Sequence, residues 1–300
     1  MTAGTITAAT AGSRRLGDLA VNRIGLGAMR LTGSAAFDLG TPSDRERSIT
    51  VLRRAVRELG VNHIDTAAFY FSSLRSANEL INRALAPYPA DLVIVTKVGP
   101  GRDPSGEWLW AAPEQLRGQV EENLRQLGRD HLDVVNLRAG GPGPISEHFG
   151  ALAELREAGL IRHLGVAAVD SAQLAEARAI APVVCVQSMF GIEARRRAAL
   201  LRECGELDIA FVPYFSIAGA GRETGPSGPE RPEVLAAARA HGVSPAQVRL
   251  AWTLQQGPHV LAIPGTGDPD HLVDNVAAGA LRLTAEEMAA LDAINPADPA

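Results

Sequence analysis

Two hydrophobic rhythms alternate along the chain. Short, β-branched apolar runs fall near 23–27, 61–66, 92–97, 132–138, 161–168, 182–187, 208–214 and 259–264, each short enough for one strand. Between them, apolar residues return every three or four positions, the spacing of one helix face. Ile49, Leu52, Val56 and Leu59 predict a helix that Ser43 caps and Gly60 ends, and Leu116, Val120, Leu124 and Leu127 predict another. Further helices are expected after Asp170, over 194–204, over 244–255, after the Asp268-Pro269 cap and over 284–294. Ahead of all of them, 15–21 reads as a hairpin turning at Gly17-Asp18.

Eight strands, most followed by a helix, fit an α/β fold of the (β/α)₈ TIM-barrel type, with an N-terminal β-hairpin and additional C-terminal helices. A doubly wound open sheet is the second choice. It lacks a Gly-x-Gly-x-x-Gly turn at the first helix, and a long loop, 30–42, follows the first strand. No composition break divides the chain, so the expectation is a flexible tail over 1–13 and one barrel domain over 14–300. Two Gly/Pro-rich loops, 99–112 and 218–232, would lie at the mouth formed by the carboxyl ends of the strands, where such barrels do their chemistry.

Composition narrows the partners. A net charge of −5 with arginines scattered among acids argues against nucleic acid or an anionic membrane surface. Cys185 and Cys204 are too few for a disulfide framework, the start of the chain lacks a signal-peptide pattern, and no apolar run reaches membrane length. These features suggest a soluble cytoplasmic protein acting on a small molecule, with no metal site expected.

One residue stands out by its rarity. Of 29 basic residues, 28 are arginine, and Lys97, at the end of an apolar strand, is the only lysine. An ammonium can titrate and can donate along a line to one oxygen, which a guanidinium fork does less well. In a barrel, Lys97 would meet Asp65 and Tyr70 from the preceding strand and Arg138 from the following one. A phenol beside an ammonium is a proton donor for a carbonyl oxygen, and the ammonium is expected to lower its pKa. His63, beneath Asp65, and Cys185 read as packed core residues.

The other half of the barrel carries a different set. Gln187 ends one strand with an amide, Tyr214 ends the next with a stacking face, and the small-residue loop 216–221, with Ser216, Ile217 and Gly219, offers backbone N–H groups to a diphosphate. Ile263-Pro264-Gly265-Thr266-Gly267 then meets a helix amino terminus, an anion site by geometry. In that order these features describe a nicotinamide dinucleotide.

The sequence from Arg15 to Ile294 resembles the aldo-keto reductase superfamily. The resemblance rests on Ile24-Gly25-Leu26-Gly27-Ala28-Met29, Asp65-Thr66-Ala67 through Tyr70, Asn78-Glu79-Leu80-Ile81, Thr96-Lys97, Leu164-Gly165-Val166, Val186-Gln187, Ser244-Pro245-Ala246-Gln247 with Ala251-Trp252, and Ile263-Pro264-Gly265-Thr266. It implies a (β/α)₈ barrel that binds NADPH across its mouth and reduces aldehydes or ketones, with Tyr70 as general acid tuned by Lys97 and Asp65. It places Gly27, Ala28, Met29, Gln187, Tyr214, Ser216, Ile217, Gly219, Gly265, Thr266, His271, Asp274 and Asn275 along the cofactor. Met29, Phe69, Phe71, Trp108 and Trp110 would form an apolar wall for the substrate.

Three positions depart from that pattern. Arg138 stands where a histidine is usual, with Asn136 on the same face but deeper. Arg138 can orient a carbonyl, lower the Tyr70 pKa or grip an anionic group on a substrate. Ala167-Ala168 replaces a usual Ser-Asn pair, removing two hydrogen bonds of roughly 1 kcal/mol each from the carboxamide. Gly265, His271 and Asp274 replace residues that commonly hold the adenosine 2′-phosphate, which weakens discrimination against NADH. Two other functions compete with carbonyl reduction: a cofactor-binding regulatory protein of reductase fold with little turnover, and a Schiff-base aldolase built on Lys97. The apolar wall suggests a hydrophobic carbonyl, and Arg138 an acidic or polyoxygenated one.

Overall fold

The fold, taken from a computed structural model, is described for residues 6–33, 42–72, 74–102, 107–217 and 229–296. Seven parallel strands form one curved sheet: β3 (Leu26–Gly27), β4 (His63–Asp65), β7 (Val93–Val98), β10 (Leu132–Arg138), β11 (Ile161–Ala167), β12 (Val183–Met189) and β13 (Ala210–Tyr214), neighbours in that order. The eighth predicted strand pairs as bridges, because Pro264 lacks a donor and Gly265 breaks the pattern. It still closes the cylinder. Phe211 N–H donates to His259 O and Leu261 N–H to Phe211 O, both at 2.9 Å, while Gly25 N–H reaches Ala262 O at 2.8 Å and Gly27 N–H reaches Pro264 O at 3.1 Å. Both edges of the sheet therefore hydrogen-bond one segment, and the open-sheet alternative falls. Gly27 is needed at this seam, since a Cβ there would sit 2.6 Å from Ile263 O.

The N-terminal hairpin, β1 (Ser13–Leu16) and β2 (Leu19–Asn22), turns at Gly17-Asp18 as predicted. It plugs the floor of the barrel. Leu16 and Val21 pack against the inward-facing Val93, Val95, Val134, Cys185, Ala210, Val212 and Leu261. Arg162 and His163 hold the Asp18 carboxylate, fastening the hairpin to the start of β11 and keeping that carboxyl well below its ordinary pKa. With the floor sealed by apolar side chains, polar chemistry is confined to the upper layers.

The helices form the outer ring: α1 (Arg45–Arg57), α2 (Ala77–Leu85), α3 (Leu116–Leu127), α4 (Ser146–Glu157), α5 (Ser171–Ile180), α6 (Ala198–Glu206), α7 (Pro232–His241), α8 (Pro245–Leu254), α9 (Pro269–Ala277) and α10 (Ala285–Asp292). Their apolar faces join one continuous buried cluster running from Ala8 to Ile294. Asp170, Ser244, Asp268 and Thr284 cap their helices as the sequence suggested. Ser43 does not. Asp44, one residue on, accepts from Arg47 N–H at 2.7 Å, a stronger charge-assisted cap at the positive end of the helix dipole. α10 is tied down where the Trp252 indole N–H donates to Asp292 at 2.8 Å.

The structure revises the sequence reading in four further places. A 3₁₀ turn at Ala8–Ala11 buries Ala8 and Ala11, so the segment expected to be a tail over 1–13 is packed from Ala8 onward. The helix expected over 194–204 starts four residues later, at Ala198. Within the 99–112 loop, β8 (Pro100–Arg102) pairs antiparallel with β9 (Trp108–Trp110), while β5 (Phe71–Ser72) and β6 (Arg75–Ser76) form a small hairpin after Tyr70. Strands of two or three residues leave no readable period in a sequence. Among the described residues, no helix is long and apolar enough to cross a membrane.

Candidate active site

Register decides which side chains meet inside the cylinder. Gly27 pairs with Asp65, Asp65 with Val95, Lys97 with Asn136, Arg138 with Ala167, and Ala167 with Gln187. Successive side chains on a strand alternate faces, so Val93, Val95 and Lys97 climb one wall and Val134, Asn136 and Arg138 the next. The floor is apolar and the upper layers are polar.

Lys97 is 4 % exposed and Asp65 3 %. Lys97 Nζ donates to Asp65 Oδ2 at 2.6 Å and to Thr66 O at 3.0 Å. The same ammonium lies 4.8 Å from the centre of the Tyr70 ring. Burial works against the lysine charge, but Asp65 and Tyr70 more than restore it, leaving its pKa above the ordinary value. Burial likewise pushes the Tyr70 phenol up; the Lys97 charge and hydrogen bond and the Arg138 charge pull it back only in part. The net direction is opposite to the expected lowering: a phenol 7 % exposed loses more by desolvation than one cation already paired with Asp65 returns. Tyr70 is thus a fully protonated donor at neutral pH.

A polar network behind these residues fixes the strand ends. Thr66 Oγ1 donates to Asn78 Oδ1 at 2.8 Å, Asn78 Nδ2 to Asn123 Oδ1 at 2.9 Å, and Thr96 Oγ1 to the same oxygen at 2.6 Å. All four residues are fully buried. Asn123, which the sequence reading missed, sits on the inner face of α3 beside Val120 and Leu127; a polar residue on an apolar helix stripe is the signal that could have found it. The network ties α2 and α3 to the ends of β4 and β7, next to Asp65 and Lys97.

Deeper in the barrel lie His63, Cys185 and Asn136, all without solvent exposure. Burial first, with Lys97 adding and Asp65 opposing, pushes His63 down to about 4; burial raises the Cys185 thiol to about 12. The Cys185 Sγ–H donates to Asn136 Oδ1 at 3.2 Å. His63 and Cys185 are packed interior groups, in keeping with the sequence reading. Gly165 faces Cys185 and Asn136, and a Cβ there would lie 2.0 Å from Asn136 Oδ1.

Arg138, half-buried, ends β10 one layer outward from Lys97. On the opposite rim, the Gln187 amide is used inward: Nε2 donates to Asp65 Oδ1 at 2.5 Å, and Oε1 is buried without a partner. That orphan acceptor fits an amide N–H donor such as a carboxamide, so the residues present suit a nicotinamide on this side. Ala28 is buried and Met29 partly so on the 3₁₀ turn after β3. Tyr214 packs edge-on against Phe215, with centres 5.2 Å apart; Ser216 is buried and Ile217 partly so, and Gly219 lies outside the described residues.

At the far end of this arc, Gly265 is exposed and Thr266 buried, with Thr266 Oγ1 accepting from Asp268 N–H at 2.9 Å. The helix terminus expected to bind an anion is already capped, for Asp268 takes the N–H groups of Asp270 and His271. His271 and Asp274 are exposed and Asn275 is buried. Cations missed in the sequence stand here instead. Arg47 pairs with Asp268, and the Arg30 side chain would lie 3.5 Å from a Cβ at Gly265. Arg30 and Arg47 are distant in sequence from Gly265, so no local motif showed them.

The apolar wall is built around Phe69, buried and edge-on to both Tyr70 (5.2 Å) and Trp108 (5.9 Å). Trp110 lies over Gly140, where a Cβ would meet its ring at 2.8 Å, while Met29 and Phe71 are partly buried against the main core cluster. Trp108 and Trp110 remain 39 % and 47 % exposed.

The chain is similar to known proteins over most of its length. Over 289 residues it is 44 % identical to the pyridoxine 4-dehydrogenase of Escherichia coli strain K12, covering 93 % of this chain and 97 % of that one. Among solved structures, the aldo-keto reductase from Klebsiella pneumoniae in complex with NADPH superposes with a TM-score of 0.77 at 28 % identity, covering 93 % of each chain. The glycerol dehydrogenase from Gluconobacter oxydans gives the same TM-score at 26 % identity, over 97 % of this chain and 98 % of that one. The profile of the Aldo/keto reductase family matches residues 23–296, and the chain belongs to that family.

Proposed function

We propose that this protein is an NADPH-dependent oxidoreductase that interconverts an aldehyde and its primary alcohol, with pyridoxal and pyridoxine as the leading pair. The observation that carries the reading is the buried ion pair of Lys97 and Asp65, 2.6 Å apart, set 4.8 Å beneath the Tyr70 ring at the barrel mouth. When bound, NADPH supplies the hydride. Tyr70 gives its proton to the carbonyl oxygen as the carbon is reduced, and the charge left on the phenolate is met by the neighbouring ammonium. Asp65 keeps that ammonium charged and pointed. Gln187 Oε1 would accept from the carboxamide, and Arg30 and Arg47 would counter phosphate charge at the far end. The choice of NADPH is supported by the cofactor of the Klebsiella relative, and the choice of pyridoxal by the activity of the Escherichia coli relative.

The ion pair also weighs against a Schiff-base aldolase, which needs a neutral amine to attack a carbonyl. NADPH oxidation with pyridoxal, followed by absorbance, tests the proposal. Tyr70→Phe should lower kcat/KM by about 10²- to 10⁴-fold, the usual worth of a positioned acid. Wild-type protein that binds NADPH tightly yet turns over no member of a broad carbonyl panel would instead be a regulatory protein of reductase fold.

A further inference from the structure

Arg138 is the cation the reaction above does not require. It ends β10, on the face that carries Asn136 two residues deeper, and so stands one layer nearer the mouth than Lys97. Its guanidinium has no carboxylate within ion-pair distance and no hydrogen-bond partner among the described residues. Lys97 and Asp65 cancel, and His63 is neutral, so among the described residues around Tyr70 the charge left over is that of Arg138. A half-buried guanidinium with no protein anion beside it is available to an anion on a ligand.

The position restricts where that anion can be. Arg138 ends β10 two residues past Asn136, the partner of Lys97, on the mouth side of the Lys97–Tyr70 pair, and its charge acts on the Tyr70 phenol. A guanidinium presents two parallel N–H groups in a fixed fork, suited to two neighbouring oxygens. An aryl aldehyde with a hydroxyl on the ring carbon next to the one that bears the aldehyde offers such a pair. Phe69 and Trp108, edge-on to each other at 5.9 Å, put aromatic surface on the same side of Tyr70 for the ring to pack against.

We propose that Arg138 is a specificity-determining residue that bridges the reacting carbonyl oxygen and an anionic oxygen on the ortho ring carbon, so that the site selects ortho-hydroxy aryl aldehydes as their phenolates. This rests on the carbonyl-reductase reading. It extends that reading to a substrate class, aldehydes with a neighbouring phenolate, of which pyridoxal is one.

The test compares salicylaldehyde with benzaldehyde, which differ only in that oxygen, using wild type, Arg138→Gln and Arg138→Lys. Dividing the two kcat/KM values removes whatever Arg138 contributes through Tyr70. The salicylaldehyde-to-benzaldehyde ratio should fall roughly 10- to 100-fold in Arg138→Gln, the scale of a charge-assisted hydrogen bond, with partial recovery in Arg138→Lys. In wild type, KM for salicylaldehyde should fall as pH rises through the ionisation of its phenol, and this trend should vanish in Arg138→Gln. An unchanged ratio in Arg138→Gln, with both aldehydes still reduced, overturns the role of Arg138 and leaves the reductase reading intact. Reduction of neither aldehyde by wild type overturns that reading and this inference with it.

Discussion

Gln187 donates to Oδ1 of Asp65 at 2.5 Å, on the carboxylate oxygen that Lys97 does not take. The two residues are 122 positions apart and come from opposite walls of the barrel. Asp65 is thus held by one charged and one neutral donor, which fixes its plane and, through it, the ammonium. Replacing Gln187 by glutamate turns a donor into a second carboxylate at hydrogen-bond distance, and two such groups cannot both ionise when buried. Gln187→Glu should therefore lose roughly 2–4 kcal/mol at pH 7. The new carboxyl has its folded pKa raised, so its cost grows as pH rises above the unfolded value and shrinks as pH falls. Urea unfolding at pH 7 and pH 5, each against wild type, should show the larger loss at pH 7; equal losses would mean the two side chains do not share a proton.

Removing Lys97 separates its structural role from its chemical one. Lys97→Met leaves the Asp65 carboxylate buried with only Gln187 as donor, which should cost about 3–5 kcal/mol. Adding Asp65→Asn removes the stranded charge and should return most of that stability. Activity should stay down in both variants, by about 10²-fold or more, because the phenolate formed on Tyr70 has lost its cation. Denaturation midpoints and NADPH oxidation on the same preparations check both halves. A double variant that regains turnover along with stability would show that Lys97 serves only to balance Asp65.

His63 makes the fold sensitive to acid. Its ring is fully buried with neither nitrogen partnered, and its pKa is pushed from 6.5 down to about 4. The unfolded chain takes up a proton as pH falls below 6.5, and the folded protein does so only near 4. Stability is therefore complete above that upper value and declines between the two. At pH 5 this amounts to roughly 2 kcal/mol. His63→Leu, close in volume and without a titrating group, should unfold with a flatter dependence between pH 7 and pH 5 by about that amount. An unaltered slope would place the acid-sensitive group elsewhere.

How far the sequence carried this site follows from how local each signal is. β10 was readable residue for residue over 132–138, since Leu132, Val134, Val135 and Leu137 put apolar side chains on both faces of one short segment, and the Asp65, Tyr70 and Lys97 set followed from strand ends alone. Contacts made across the barrel were not readable. Gln187 seemed free for a carboxamide because nothing near it in the chain shows that its Nε2 belongs to Asp65. The 2′-phosphate end looked poor in charge because Arg47 approaches from α1. The direction of the Tyr70 shift was misjudged for a related reason: the Lys97 charge is visible in a sequence, whereas the depth of burial that outweighs it is a property of the closed fold.

Ala168 unites a backbone cost with a missing contact. It has φ of +59°, in the left-handed region, where a Cβ costs roughly 1 kcal/mol and where asparagine is tolerated better than other residues with side chains. It stands at the rim, its N–H donating to Gln187 O at 2.9 Å, at the position where this family usually has asparagine. Glycine there would relieve the strain but loosen the unfolded chain, offsetting much of the gain. Asparagine relieves it without that loss and adds an amide beside Gln187. Ala168→Asn should therefore raise stability without ligand by about 0.5 kcal/mol and tighten NADPH binding several-fold, in line with one hydrogen bond of roughly 1 kcal/mol. Thermal melts of the ligand-free protein and fluorescence titration with NADPH separate the two effects. A lower melting point in the ligand-free variant would show that the left-handed backbone at 168 carries no strain for asparagine to relieve, and unchanged NADPH affinity would show that the carboxamide lies out of its reach.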